Sequence, residues 1–245
     1  NSAVAVGYHA LYALSDGDEN TAVGYQAMDS LTTGEKCTAI GTAASQAATT
    51  GDHNTSVGYI SQYKVTTGYK NVSIGSMSLY NTTTGYKNTA LGNSAGDSIT
   101  TGYNNCCIGN DALTTSDAST NQFVLGNSSI SLLRCQQTSI TALSDERDKT
   151  DITDLPLGLS FIDKLRPVKF KWDSREGIDK DGSYEAGFIA QDLQKLENDE
   201  GVSDWTKLVH DENPDRLEAT PGSLLPILIQ AVKELSTKVT ALENA

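Results

Sequence analysis

Asn20-Thr21-Ala22-Val23-Gly24-Tyr25 returns further along the chain as Asn88-Thr89-Ala90-Leu91-Gly92, an offset of 68 residues, or four steps of 17. The step holds throughout the first half of the sequence. Glycine stands at Gly7, Gly24, Gly41, Gly58, Gly75, Gly92, Gly109 and Gly126, and a second series runs through Gly17, Gly34, Gly51, Gly68, Gly85 and Gly102. Two phased glycine ladders mark a structural repeat with two fixed corners, each expected to need a positive φ.

The repeat reads roughly as G-x-x-N-T-A-[VIL]-G-Y-x-A-x-x-x-L-T-T. One branched apolar residue precedes each glycine of the first series: Val6, Val23, Ile40, Val57, Ile74, Leu91, Ile108 and Leu125. These residues are expected to face inward. Three residues after the same glycines stand Ala10, Ala27, Ala44, Ser61, Ser78, Ala95, Ala112 and Ser129, whose small size implies close approach of a neighbouring coil or chain. Short β segments between turns, with no sustained 3.6-residue period, predict a β-solenoid over residues 1–126. Each unit carries too few large apolar residues to form a core alone. Stability is therefore expected from stacking and from association around an axis, with a homotrimer as the natural assembly.

Phasing also places three of the four cysteines. Cys37 takes the Asn position, Cys106 the Thr position and Cys107 the small Ala/Ser position, and with Cys135 they form no C-x-x-C pair. His9, His53 and His210 are scattered and read as solvated surface residues. No metal, cofactor or disulfide is expected. Tyr8, Tyr25, Tyr59, Tyr69, Tyr86 and Tyr103 recur at turns, where tyrosines stack between coils more often than they meet a glycan or protein receptor on a host surface. Asp29, Asp52 and Asp97 form no persuasive acid/base pair for glycan hydrolysis.

With 31 acidic against 18 basic residues, the chain has a net charge of −13, which argues against nucleic-acid partners. The absence of a long apolar run argues against membrane insertion. The start at Asn1, without a leader, suggests a fragment of a longer protein.

The repeat fades after Gly126. Residues 127–143 read as a connecting β segment, with N-Q-F-V-L-G-N-S-S-I-S-L-L-R from Asn121 to Arg134 forming a final β layer. From Ser144 the composition changes, since both tryptophans and all five prolines lie beyond it. A separate α+β domain is expected over residues 144–245. Its last stretch carries a heptad seam, Leu225, Val232 and Val239 alternating with Leu228, Leu235 and Leu242, which predicts a coiled-coil helix with Pro226 in its first turn. Asp179-Lys180-Asp181-Gly182 reads as a turn rather than a calcium loop, and Asp211 to Asp215 as a solvated loop.

Two resemblances add to this reading. The N-T-A-V-G-Y type of repeat resembles the head repeats of trimeric bacterial adhesins, which are wound as three-chain β-rolls. S-D-E-R-D-K-T-D-I (Ser144 to Ile152), L-R-P-V-K-F-K-W (Leu165 to Trp172), A-G-F-I-A-Q-D-L-Q-K (Ala186 to Lys195) and L-L-P-I-L-I-Q-A-V-K-E-L (Leu224 to Leu235) occur in the order seen in endosialidase-type intramolecular chaperones. That family acts on phage tail spikes and fibres, and related domains occur in a membrane-bound eukaryotic transcription factor. The resemblance implies a trimeric domain that folds an upstream β-fibre and then cuts itself off between Leu143 and Ser144. Ser144 would be the nucleophile and Lys149 the general base, with Asp145 and Arg147 in support. The expected setting is a virion tail assembled in the host cytoplasm. A non-catalytic adhesive fibre tip with a C-terminal trimerisation domain is the alternative.

The chemistry sets its own conditions. A serine hydroxyl needs a base to become nucleophilic, and a lysine serves only where burial or nearby positive charge keeps it neutral. A spacing of five would separate Ser144 from Lys149 by about 140° on an α-helix. They must meet through a turn or across chains. Asp148, beside the proposed base, opposes that neutrality. Read alone, S-D-E-R would be a serine N-cap with acidic residues in a first turn.

Overall fold

The computed structural model describes residues 2–136, 142–173 and 182–245. They fall into two compact units, Asn1–Ile130 and Ser131–Ala245.

The first unit is a parallel β-solenoid. Eight strands of three residues stack in chain order: β1 (Val4–Val6), β2 (Thr21–Val23), β3 (Thr38–Ile40), β4 (Thr55–Val57), β5 (Val72–Ile74), β6 (Thr89–Leu91), β7 (Cys106–Ile108) and β8 (Phe123–Leu125). Every pairing is offset by 17, so that Thr21 faces Thr38 and Thr38 faces Thr55. The repeat read in the sequence is therefore the rise of the coil.

Corner geometry explains how so short a unit closes. Each coil holds non-glycine residues in the left-handed region, such as Ile60 (φ 46°), Gln62 (φ 49°) and Lys70 (φ 55°). That conformation costs a non-glycine residue roughly 1–2 kcal/mol. It turns each N–H toward an adjacent coil: Ile60 donates to the Thr42 carbonyl, Gln62 to Ser78 and Lys70 to Asp52, each at 2.9 Å. The strain is tolerated because a neighbouring coil accepts the bond. The two glycine series differ in their reason. Gly58 combines φ +135° with a close approach, since a Cβ there would lie 2.4 Å from the Gly75 oxygen. Gly68 has no positive φ, contrary to expectation, yet its Cβ would also meet the Gly85 oxygen at 2.4 Å. Backbone proximity alone excludes a side chain there.

A buried amide ladder runs up the interior. Asn71 donates Nδ2–H to the Gly85 carbonyl (2.8 Å), while its Oδ1 accepts the Asn88 N–H (2.9 Å). Asn88 and Asn105 repeat the pattern one coil further on. Cys37 replaces one rung, with Sγ donating to the Gly51 carbonyl at 3.2 Å and accepting the Asn54 N–H at 3.5 Å.

The strands bury their central residue: Ala22, Ala39, Ser56, Ser73, Ala90 and Cys107 lie inside. This corrects the expectation for the residue before each glycine. Val6, Ile40, Ile74, Leu91 and Leu125 point outward and are exposed. In a three-residue strand the first and third side chains share one face, opposite the inward central residue. The small residues after the glycines, Ala27, Ala44, Ser61, Ser78, Ala95 and Ala112, are buried within the coil. Two apolar clusters, one from Leu11 to Val65 and one from Leu79 to Ala112, fill the interior. Buried serines such as Ser73 and Ser78, hydrogen-bonded at 2.5 Å, lie at their junction.

The β segment expected beyond the solenoid does not form in its described part. β8 is its last strand, Ile130 packs back onto Gly126, and residues 127–136 contain no strand. Residues 137–141 of the expected β segment, and the Asp179 to Gly182 turn up to its glycine, lie outside the described residues.

In the second unit, α1 (Leu159–Ile162) leads to an antiparallel pair, β9 (Val168–Lys171) and β10 (Tyr184–Gly187). Helices α2 (Ala190–Glu200) and α3 (Ser203–Thr206) follow, then the paired strands β11 (Val209–His210) and β12 (Glu218–Ala219). A 3-10 turn, Pro221–Leu224, opens the C-terminal helix α4 (Leu225–Glu243), with Pro226 in its first turn. Phe161, Leu193, Val202, Leu208, Leu224 and Ile227 form the core. Two carboxylates brace it. Buried Glu197 accepts the Thr206 hydroxyl and the Leu208 N–H, and Glu234 of α4 accepts the Leu159 N–H at the start of α1 (2.9 Å).

Replacing Asn71 with Ala strands a buried carbonyl and a buried N–H, so thermal or denaturant unfolding should show a loss of about 2–4 kcal/mol. Cys37→Asn, which restores the amide rung, should instead raise the unfolding free energy by roughly 1 kcal/mol. Equal midpoints for Asn71→Ala and the parent would remove the ladder from the account.

Candidate active site

The segment after Leu143 forms one 3-10 turn, Glu146–Asp148. Its N-cap is Asp145, not Ser144. The Asp145 carboxylate accepts the Arg147 backbone N–H at 2.9 Å and also receives the Arg147 guanidinium through Nε (3.0 Å) and a terminal nitrogen (2.6 Å). The Arg147 hydrogen bonds hold the Asp145 carboxyl below its usual range, and the pairing raises the guanidinium in turn. Because the folded value is depressed, this contribution is fully present above the ordinary carboxylate range and is lost as pH falls through the lowered value.

With the cap taken by its neighbour, Ser144 keeps its hydroxyl free of that role. The Lys149 N–H closes the turn on the Glu146 carbonyl (3.1 Å), and the lysine side chain folds back on the serine. Its Nζ lies 2.7 Å from Ser144 Oγ and 3.2 Å from the Ser144 carbonyl oxygen. Two residues that an α-helix would hold apart thus meet within one chain through a single turn. Leu143, immediately before the serine, is fully exposed. The whole stretch from Ala142 to Thr150 is exposed in the single chain, and among the described residues no ion pair joins Asp148 to Lys149. Downstream, Leu155 and Leu157 pack against the core and anchor the segment.

This arrangement supplies a hydroxyl, an amine within hydrogen-bonding distance, and an accessible peptide bond before the hydroxyl-bearing residue. Those are the parts an acyl shift onto serine needs. Sequence reading brought Ser144, Lys149, Asp145 and Arg147 forward, but the capping role of Asp145 escaped it. The signal was present: Asp followed by acidic residues in a first turn is as good an N-cap as serine.

The other candidates are engaged elsewhere. Asp52 accepts the Glu35 N–H (2.9 Å), and Asp97 accepts Asn81 Nδ2–H (2.7 Å), burial pushing the Asp97 carboxyl up. His9 is not simply solvated: its ring stacks between Tyr8 and Tyr12 at 4.1 and 4.3 Å, with Nδ1 3.2 Å from Asp29. Tyr69, Tyr86 and Tyr103 form a continuous stack at 4.9 and 4.8 Å spacing. Burial raises the Cys37 thiol, and raises that of Cys107 to about 11. No helix among the described residues is long and apolar enough to cross a membrane.

Residues 144–202 match the family model described as Peptidase_S74, chaperone of endosialidase. No curated protein and no solved structure matches the chain. The match gives this region an endosialidase-type chaperone domain, which implies a role in the folding and trimerisation of a fibre, and the family is one of self-cleaving peptidases. It begins at Ser144 and stops before α4.

If the chain cuts itself before Ser144, as proposed below, and Asp145 acts by closing the turn, Asp145→Ala should slow release of a C-terminal fragment by roughly five- to tenfold, while Asp145→Asn, which still caps, should keep most of the rate. Time courses on denaturing gels check this. Equal slowing in both variants would assign the effect to the Arg147 pair instead.

Proposed function

We propose that the chain is a fragment of a phage tail fibre or tail spike, in which a C-terminal intramolecular chaperone assembles the β-solenoid as a homotrimer and then releases itself by cutting between Leu143 and Ser144. The observation that carries this reading is the 2.7 Å contact between Lys149 Nζ and Ser144 Oγ at the first residues of the matched chaperone domain.

In this mechanism Lys149 removes the Ser144 hydroxyl proton as Oγ attacks the Leu143 carbonyl carbon. The Leu143–Ser144 C–N bond breaks, the proton passes to the freed Ser144 amine, and an ester joins the Leu143 acyl group to Oγ. Water then hydrolyses the ester, restoring the serine hydroxyl and leaving Leu143 as a carboxylate. A lysine base must be neutral, which takes burial or nearby positive charge. Because the segment is exposed in the single chain, that burial comes from assembly, and cleavage is thereby tied to a completed trimer.

The C-terminal helix supports the assembly step. α4 buries Ile227 and Ala231 against its own unit and leaves Leu225, Leu228, Val232, Leu235, Val239 and Leu242 exposed. These are the two positions of the heptad seam, and a three-stranded coiled coil would cover them. The fibre belongs to a virion tail assembled in the host cytoplasm. Its receptor is a glycan or protein on the host surface.

Purified parent protein run beside Ser144→Ala under denaturing conditions tests the reading. The parent should yield a C-terminal fragment, and the variant should remain intact. If both remain full length, the domain is a trimerisation module without peptidase activity.

A further inference from the structure

The strands of the solenoid are inverted relative to an ordinary core. Their inward positions hold Ala, Ser or Cys in β1 to β7 and Val124 in β8, while the third position of all eight is Val, Ile or Leu and points outward. With the first position of each strand, these residues form one face, sixteen side chains from Val4 to Leu125. None is charged. Val6 is 56% exposed, Ile74 41%, Leu91 47% and Leu125 48%. Seven inter-strand steps at the usual sheet spacing make this stripe about 34 Å long. The third-position row is apolar throughout, and the first position adds Val4, Val72, Cys106 and Phe123 beside four threonines; monomeric proteins rarely leave so long an apolar row to water.

We infer that this outward sheet face is the surface on which copies of this chain meet, rung against the same rung, along the solenoid. The inference rests on the self-association in the proposed function and assigns its surface. Three observations choose a second copy over a foreign partner. Contact along all eight strands requires a partner with the same rise per strand, which another copy of this sheet has. The chain carries a net charge of −13, so copies repel broadly, and this uncharged stripe lets them approach without pairing like charges. A closed symmetric assembly presents the same stripe from every chain to a common axis, so unequal rungs, from Val4 and Val6 at one end to Phe123 and Leu125 at the other, fix the register.

Cys106 makes the inference testable, because it occupies the first position of β7, between Thr89 and Phe123 on the same face. Cys37 and Cys107 are buried in the solenoid. In the full-length chain carrying Ser144→Ala and Cys135→Ser, native mass is measured and a short bis-maleimide is added. The expected result is an oligomer whose Cys106 thiols become linked, shifting the denatured protein to multiples of the chain mass. A control with Cys106→Ser and Lys64→Cys, exposed on another side of the coil, should not link. An oligomer in which Cys106 stays unlinked and open to a bulky maleimide would overturn the assigned face while leaving self-association standing. A monomer would overturn both. Because Ser144 is absent, neither result depends on cleavage.

Discussion

Every coil of this protein is completed by its neighbours. The left-handed corners at Ile60, Gln62 and Lys70 are unfavourable in isolation, and each is offset by an N–H donated to an adjacent coil. The amide ladder works the same way, with Asn71 satisfying a carbonyl and an N–H that belong to the following coil. A single 17-residue unit therefore holds strain without the bonds that compensate it. Its order is collective, and a stack must form over several coils before it becomes favourable.

That constraint gives a physical reason for a chaperone domain on the same chain. The second unit has what the coils lack: a compact apolar core around Phe161, Leu193 and Ile227, and helices whose hydrogen bonds are local. It can order first. In the proposed assembly its α4 seam brings copies together, and the growing solenoids lay their outward Val, Ile and Leu rows against one another. Once formed, the inter-coil ladder no longer needs the domain that started it, which is consistent with a cut at its first residue.

Much of this was legible in the sequence. The 17-residue step became the strand register, Cys37, Cys106 and Cys107 fell at their phased positions, and Pro226 opened α4. The direction of the strand faces was not legible, because three residues are too few to show which side alternates toward a core, and Val or Ile before glycine looks like core. The amide ladder hid behind Asn20 and its repeats, which read equally as turn residues. Gly68 and Gly58 look alike in sequence, yet only one requires a positive φ. The Ser144 and Lys149 pair was readable as residue types, but their meeting depends on the turn capped by Asp145, which spacing alone does not reveal.

The central claim concerns one peptide bond, and intact-mass analysis with N-terminal sequencing of the C-terminal product tests it most directly. The account predicts a fragment whose first residue is Ser144, formed by the purified protein without added protease. A fragment beginning at any other residue, or the full-length mass alone, would contradict it.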